Sequence, residues 1–157
     1  VTCAQSSPVH VYDVSNPAKY RITHSFDVMN EQEQMDSPYA LKVDPVSRMI
    51  WGSLKNKIRA FSLDKPKAKL VYKMKYGGSF SKALGLISTI DKSASQDLMA
   101  LGSFNKKIGL WDPRTAVLTS IIEGHSGGIT DLKISGDGTR LYSGARKDDR
   151  IMCWDLR

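Results

Sequence analysis

The chain has 157 residues, of which 41% are apolar and 25% charged, so it can build a packed core and wholesale disorder is excluded. Its formal net charge of +7 favours acidic partners such as nucleic acid, although many basic proteins bind none. No run of about 18 apolar residues occurs, so we expect no membrane-spanning helix.

Four segments of the chain end alike, each with an aromatic residue near the end of a short run of alternating polarity. They are "VHVYDV" (Val9–Val14), "KIRAFSL" (Lys57–Leu63), "KIGLWDP" (Lys107–Pro113) and "RIMCWDL" (Arg150–Leu156). Between these markers apolar residues mostly alternate with polar ones, as half-buried strands require. The repetition predicts antiparallel meanders of four strands each, one after another along the chain.

Counting strands gives the last two strands of one unit, two complete units and three strands of a fourth. The segments we expect, all within one domain, are 1–26 (last strands of a unit), 27–39 (a polar inter-unit loop), 40–76, 77–122 and 123–157 (a unit lacking its outer strand). An open array would expose unpaired strand edges. We therefore interpret the chain as a fragment of a larger closed array.

The last unit has the most specific pattern. It contains Gly124-His125 before its first strand, Ser143 in its second, an acidic turn, and Trp154-Asp155 near its end. In these residues the chain resembles the WD-repeat family of β-propellers. The resemblance implies an all-β fold, a WD-repeat β-propeller fragment of about three and a half four-stranded blades from a seven-bladed propeller.

The resemblance also implies a hydrogen-bond relay that pins the strands of the last blade together. Its members would be His125, Ser143, Asp148 and Trp154. Such a relay is chemically reasonable, because a buried imidazole needs both its nitrogens satisfied. One extra residue in the turn leaves open whether Asp148 or Asp149 supplies the acid.

Catalytic and metal-binding patterns are missing from the sequence. The three histidines pair with no nucleophile in a known motif, and no phosphate-binding glycine loop occurs. The two cysteines lie at opposite ends without metal-ligand spacing, which indicates a reducing, intracellular setting. We expect no enzyme, no metal and no cofactor.

Basic residues concentrate in turns that a propeller meander brings to one face. Three turns between second and third strands are basic, and a loop between units adds an aromatic residue. The candidates for RNA contact are Arg146, Lys147, Arg150, Lys106, Lys107, Lys55, Lys57, Lys82 and Phe80. Clustered cations neutralise phosphates, and an aromatic ring stacks on an unpaired base. Position alone leaves a second interpretation open, that these are ordinary solvated turns.

A narrower resemblance favours RNA. The run "SGARKDDRIMCWDLR", with "SSPVHVYDV", "ALGSFNKKIGLWD" and "GHSGGIT" before it, is similar to the telomerase Cajal body protein family. The resemblance implies recognition of a short CAB box (consensus UGAG) in loops of small Cajal-body RNAs and telomerase RNA. It implies a nuclear, Cajal-body location, ribonucleoprotein and Cajal-body protein partners, neither DNA nor membrane, and support of telomerase assembly and trafficking. The alternative is a protein-interaction propeller that binds no RNA.

Overall fold

The structure is a computed structural model that describes residues 1–5, 7–30, 32–54, 57–65, 69–72 (backbone) and 84–157. These residues form thirteen β-strands and no helix, so the all-β prediction is confirmed. Within these ranges there is accordingly no apolar helix of membrane-spanning length. The strands are β1 (Val9–Asp13), β2 (Arg21–Phe26), β3 (Ala40–Asp44), β4 (Met49–Leu54), β5 (Lys57–Ser62), β6 (Lys69–Tyr72), β7 (Ile87–Lys92), β8 (Met99–Ser103), β9 (Lys107–Asp112), β10 (Val117–Glu123), β11 (Ile129–Ile134), β12 (Arg140–Ala145) and β13 (Met152–Asp155).

The described strands lie in four antiparallel meander sheets. The first pairs β1 with β2, the second runs β3-β4-β5-β6, the third β7-β8-β9-β10, and the fourth β11-β12-β13. Each strand pairs only with its neighbours in the chain, as short polar turns between alternating strands require. The predicted content of two strands, two complete blades and three strands is confirmed. The segment boundaries given above, and a total of seven blades, stay predictions.

The sheets pack face to face, with apolar side chains between each successive pair. Trp51 of the second sheet meets Trp111 of the third edge to face, with ring centroids 5.9 Å apart. Phe26 and Phe61 fill the space between the first and second sheets, 5.2 Å apart. All five residues of β8 are buried, because this strand is covered by sheets on both sides.

The inner strands of three blades are joined by one buried carboxylate. Asp91 in β7 is 3% exposed and forms an ion pair with Lys42 of β3. Its other oxygen accepts the backbone N–H of Ile134 in β11 at 2.8 Å, and Lys133 Nζ lies 3.5 Å from the first oxygen. These contacts link the first strands of the second, third and fourth sheets.

The last strand begins later than the sequence predicts. We expected "RIMCWDL" to be extended from Arg150, whereas β13 begins at Met152, which pairs with Ser143. Residues 146–151 form the turn instead, and the Asp148 carboxylate in that turn bonds to His125 and to the Ser126 N–H of the preceding loop. The β12–β13 turn is therefore longer than the sequence predicts.

Candidate nucleic-acid interface

Four side chains fasten the fourth sheet to the loop that precedes it. His125 Nδ1 lies 2.5 Å from Asp148 Oδ2, and its Nε2 lies 2.7 Å from Ser143 Oγ. The indole N–H of Trp154 donates to the same Ser143 oxygen at 2.7 Å. The backbone N–H of Ser126 donates to Asp148 Oδ1 at 3.1 Å. With a proton on Nδ1, the His125 ring donates to Asp148, and its Nε2 accepts from the Ser143 hydroxyl.

The acid of this relay is Asp148 and not its neighbour. The side chains of His125 and Asp148 are 1% and 6% exposed, whereas that of Asp149 is 90% exposed. The hydrogen bond from His125 lowers the pKa of Asp148 below its ordinary value, against the opposing effect of burial. Asp148 therefore remains ionised at neutral pH and accepts the bonds that position its turn.

The order of atoms in this relay is that of a hydrolytic Ser–His–Asp triad. Here, however, Ser143 is 1% exposed and lies within the paired strand β12. Its oxygen also accepts the Trp154 indole N–H. A substrate carbonyl cannot reach a hydroxyl in that position. Ser143 is therefore not a nucleophile, and the relay stabilises the blade.

The loop that carries His125 lies against two turns of the same face. A Cβ added to Gly127 would lie 1.7 Å from the carbonyl oxygen of Arg146, and one on Gly128 would lie 2.8 Å from that of Phe104. The Arg146 N–H donates to Gly128 O at 2.9 Å. The β8–β9 turn (104–106) and the β12–β13 turn (146–151) are therefore neighbours, and we call the surface they form the turn face.

The predicted basic residues are distributed unevenly over the turn face. The exposed ones are Lys106, Arg146, Lys147 and Arg150. Lys106 and Lys147 have the same left-handed backbone, with φ of 68°, at the tips of their turns. Among the described residues no carboxylate pairs with either lysine or with Arg146, whereas Arg150 Nε lies 3.5 Å from the exposed Asp149.

The remaining candidates are placed differently. Lys107 is half-buried, and its Nζ lies 2.7 Å from Glu123 Oε1 on the neighbouring strand, so its charge is already compensated. Lys57 is half-buried as the first residue of β5, opposite Leu54. The candidates that lie outside the described residues are Lys55, Phe80 and Lys82. Where the chain is described, no group of three His, Cys, Asp or Glu side chains could hold a metal ion.

Comparison with known proteins finds a family match in the last part of the chain. The family model described as "WD domain, G-beta repeat" matches residues 116–155, which include the whole relay. Strand β10 and the fourth sheet together are therefore similar to one repeat of that family.

Individual relatives extend the similarity beyond the last blade. The chain is 31% identical over 160 residues to Telomerase Cajal body protein 1 of Homo sapiens and 32% identical to that of Mus musculus, in each case over 98% of this chain. These matches cover 27% and 28% of the two relatives, so the chain spans less than a third of their length. Pre-rRNA-processing protein IPI3 of Mycosarcoma maydis is 39% identical over 70 residues, which are 45% of this chain and 12% of that protein.

The third sheet closes the corresponding turn by other means. Leu101, fully buried, precedes Gly102 as Ser143 precedes Gly144 in the fourth sheet. The Ser103 hydroxyl donates to the carbonyl oxygen of Leu84 and accepts the Asn105 N–H at 2.9 Å. Bonds to the backbone thus replace the imidazole relay, so this turn depends less on any single ring.

One residue of the turn face escaped the sequence analysis. Phe104 is 42% exposed, and the guanidinium carbon of Arg146 lies 5.7 Å from the centre of its ring. Of residues 104–107, only Lys106 and Lys107 were predicted to contact RNA. The sequence does show a large apolar residue in a polar turn. Its importance depends on which residue of the next blade it contacts, and the sequence does not give that contact.

Proposed function

We propose that this WD-repeat chain is part of an RNA-binding scaffold that recognises a CAB-box-type loop in small Cajal-body RNAs and telomerase RNA. Through that contact the protein directs these ribonucleoproteins to the nuclear Cajal body and supports telomerase assembly and trafficking. Its partners are the box-bearing RNAs together with ribonucleoprotein and Cajal-body proteins. We assign the chain no catalytic step.

The observation that carries the proposal is the group of unpaired cations on the turn face. Lys106 on one blade, and Arg146 and Lys147 on the next, are exposed and unpaired among the described residues. Their turns are in contact through the loop that carries His125. A group of unpaired cations neutralises the phosphates of a single strand, and an RNA loop presents unstacked bases beside those phosphates.

The similarity to Telomerase Cajal body protein 1 supports the choice of RNA. It extends over 98% of this chain, with 31% and 32% of the aligned residues identical. The printed name of that relative links it to telomerase and to the Cajal body. We transfer that link to this chain as part of the proposal, together with the nuclear location.

The test compares two RNA hairpins with the full-length protein. One carries a UGAG loop and the other a scrambled loop, and affinity is measured at fixed salt for the wild type and for Arg146→Glu/Lys147→Glu. We expect the wild type to prefer the UGAG hairpin and the double variant to lose that binding. Affinity should also fall steeply with ionic strength, because counterions are released from each neutralised phosphate.

A matched control reverses two charges away from the turn face. Lys19→Glu/Arg114→Glu gives the same change in net charge in the turns β1–β2 and β9–β10, where both residues are exposed. This control should bind the UGAG hairpin as the wild type does. Equal, weak and salt-insensitive binding of both hairpins by the wild type would contradict the proposal and leave a protein-interaction scaffold, the alternative that the sequence left open.

A further inference from the structure

Phe104 and Arg146 occupy equivalent positions in successive blades. Each follows directly after the second strand of its blade, where Ser103 pairs with Ile87 and Ala145 with Ile129. The Phe104 N–H donates to Leu86 O at 3.0 Å, and the Arg146 N–H makes the corresponding bond to Gly128 O at 2.9 Å. The repeat therefore places these two side chains at equivalent positions of neighbouring blades, and both lie on the turn face.

The two side chains form an exposed cation–π pair. The Arg146 guanidinium carbon lies 5.7 Å from the Phe104 ring centroid, within the range of attraction between a cation and a ring face. Phe104 remains 42% exposed and Arg146 is exposed. Because Arg146 has no carboxylate partner among the described residues, its guanidinium can contact a ligand together with the exposed part of the Phe104 ring.

The backbone beneath this pair is held in place. Gly127 and Gly128 approach the carbonyl oxygens of Arg146 and Phe104 so closely that a Cβ on either glycine would overlap its neighbour. Both turns are thus fixed against one loop, and that loop is fixed by the His125–Asp148 bond. A contact surface organised before binding loses less entropy when a ligand settles on it.

We propose that the Phe104–Arg146 pair is a stacking platform for one unpaired base of single-stranded RNA, with Lys106 and Lys147 binding the flanking phosphates. This inference rests on the proposed RNA-binding function and adds a specific subsite to it. Stacking tolerates any base, because every base has a π-face. The platform therefore positions one nucleotide of the loop and supplies affinity, while the identity of the box is read by base-edge contacts at other residues.

The experiment uses the full-length protein, the UGAG hairpin, and hairpins in which one loop nucleotide at a time is abasic. With wild-type protein we expect the abasic replacement of the stacked nucleotide to weaken binding roughly tenfold, the usual size of one base–aromatic stack, whereas abasic positions in the box lose base-edge contacts instead. Phe104→Leu should weaken binding of the intact hairpin by a similar factor. Combined with that abasic RNA, it should cause little additional loss, because both changes remove the same contact.

Two matched variants separate stacking from charge. Phe104→Tyr keeps an aromatic face and should bind as the wild type does, and Arg146→Lys keeps the charge without the plane and should lose part of the affinity. If no single abasic position weakens wild-type binding, the platform is wrong, and this test needs no variant to fold. Loss of binding in Arg146→Glu/Lys147→Glu with full binding by Phe104→Leu would overturn the platform and leave the proposed function standing. Absence of any RNA binding by the wild type would overturn both.

Discussion

The Ser143 hydroxyl serves two rings at once, because it bonds His125 Nε2 and accepts the Trp154 indole N–H, both at 2.7 Å. A buried donor or acceptor left without a partner costs about 1 to 3 kcal/mol, whereas a formed hydrogen bond contributes about 1 kcal/mol. Any change in the His125 ring is therefore expected to disturb the strands β12 and β13 as well as the turn that carries Arg146.

We expect His125→Tyr to lower stability and RNA affinity together. The phenol is larger than the imidazole, cannot reach Ser143 and Asp148 at the same time, and enters a site where the side chain is 1% exposed. The free energy of unfolding should fall by about 2 to 4 kcal/mol, as measured by urea denaturation of the full-length protein. Binding to the UGAG hairpin should weaken in the same samples.

The neighbouring carboxylates provide an internal control. Asp149→Ala removes an acid that is 90% exposed and should leave the urea midpoint unchanged, whereas Asp148→Ala should lower it. If His125→Tyr abolished RNA binding at unchanged stability, His125 would be an RNA contact, contrary to its structural role in the relay.

The turn face depends on how closely its turns approach the loop that carries His125, and Gly127 and Gly128 allow that approach. The absence of a side chain at Gly127 lets this residue lie against the carbonyl group of Arg146. The length of the β12–β13 turn also matters. This turn is long because it contains one extra residue and because β13 begins only at Met152. Loop geometry, more than strand composition, therefore sets which cations are available.

We expect Gly127→Ala to displace the β12–β13 turn. Its Cβ would lie 1.7 Å from Arg146 O, so the loop or the turn must shift, at a cost of about 1 to 3 kcal/mol in the free energy of unfolding. RNA affinity should fall because Arg146 and Phe104 no longer face each other. Thermal unfolding and hairpin titration of the full-length protein measure both effects.

Gly136→Ala is the matched control, because a Cβ added there meets nothing within 4 Å. It should preserve both the unfolding temperature and RNA binding. Wild-type behaviour of Gly127→Ala in both measurements would show that the turns do not depend on this close contact.

Across the blades, one buried carboxylate joins the inner strands of three sheets. Asp91 pairs with Lys42 on one side and accepts the Ile134 N–H at 2.8 Å on the other. Its side chain is 3% exposed, so its loss leaves a buried backbone donor without its acceptor. The packing of the blades thus depends on a polar contact as well as on apolar layers such as Trp51 and Trp111.

We expect Asp91→Ala to lower the free energy of unfolding of the full-length protein by about 2 kcal/mol, because the Ile134 N–H loses its acceptor and Lys42 its partner. Asp91→Asn should lower it less, since the amide oxygen still accepts the Ile134 N–H. Denaturant titration followed by tryptophan fluorescence provides the measurement. Equal stability of the alanine variant and the wild type would show that the apolar layers alone hold the blades.

Much of the fold could be predicted from local patterns. Alternation of apolar residues, small-residue turns and the repeated aromatic anchors predicted the meander and its division into two, four, four and three strands, because each pairs only with its chain neighbours. The resemblance to the WD-repeat family, carried by the Gly-His and Trp-Asp pairs, predicted which residues of one blade meet in the relay. These features depend on separations within a single unit.

The remaining features depend on how separate units pack. The sequence left Asp148 and Asp149 as equal candidates, and the structure assigns the relay to Asp148, which lies 2.5 Å from His125. Phe104 was overlooked because its contact with Arg146 joins different blades, and no local pattern encodes a distance between them. The sequence by itself determined the strands and their order, because these follow from periodicity within each blade, and its resemblance to the WD-repeat family predicted the relay. Only the tertiary structure decided which turn residues meet and which cations stay unpaired, because these follow from the stacking of one sheet on the next.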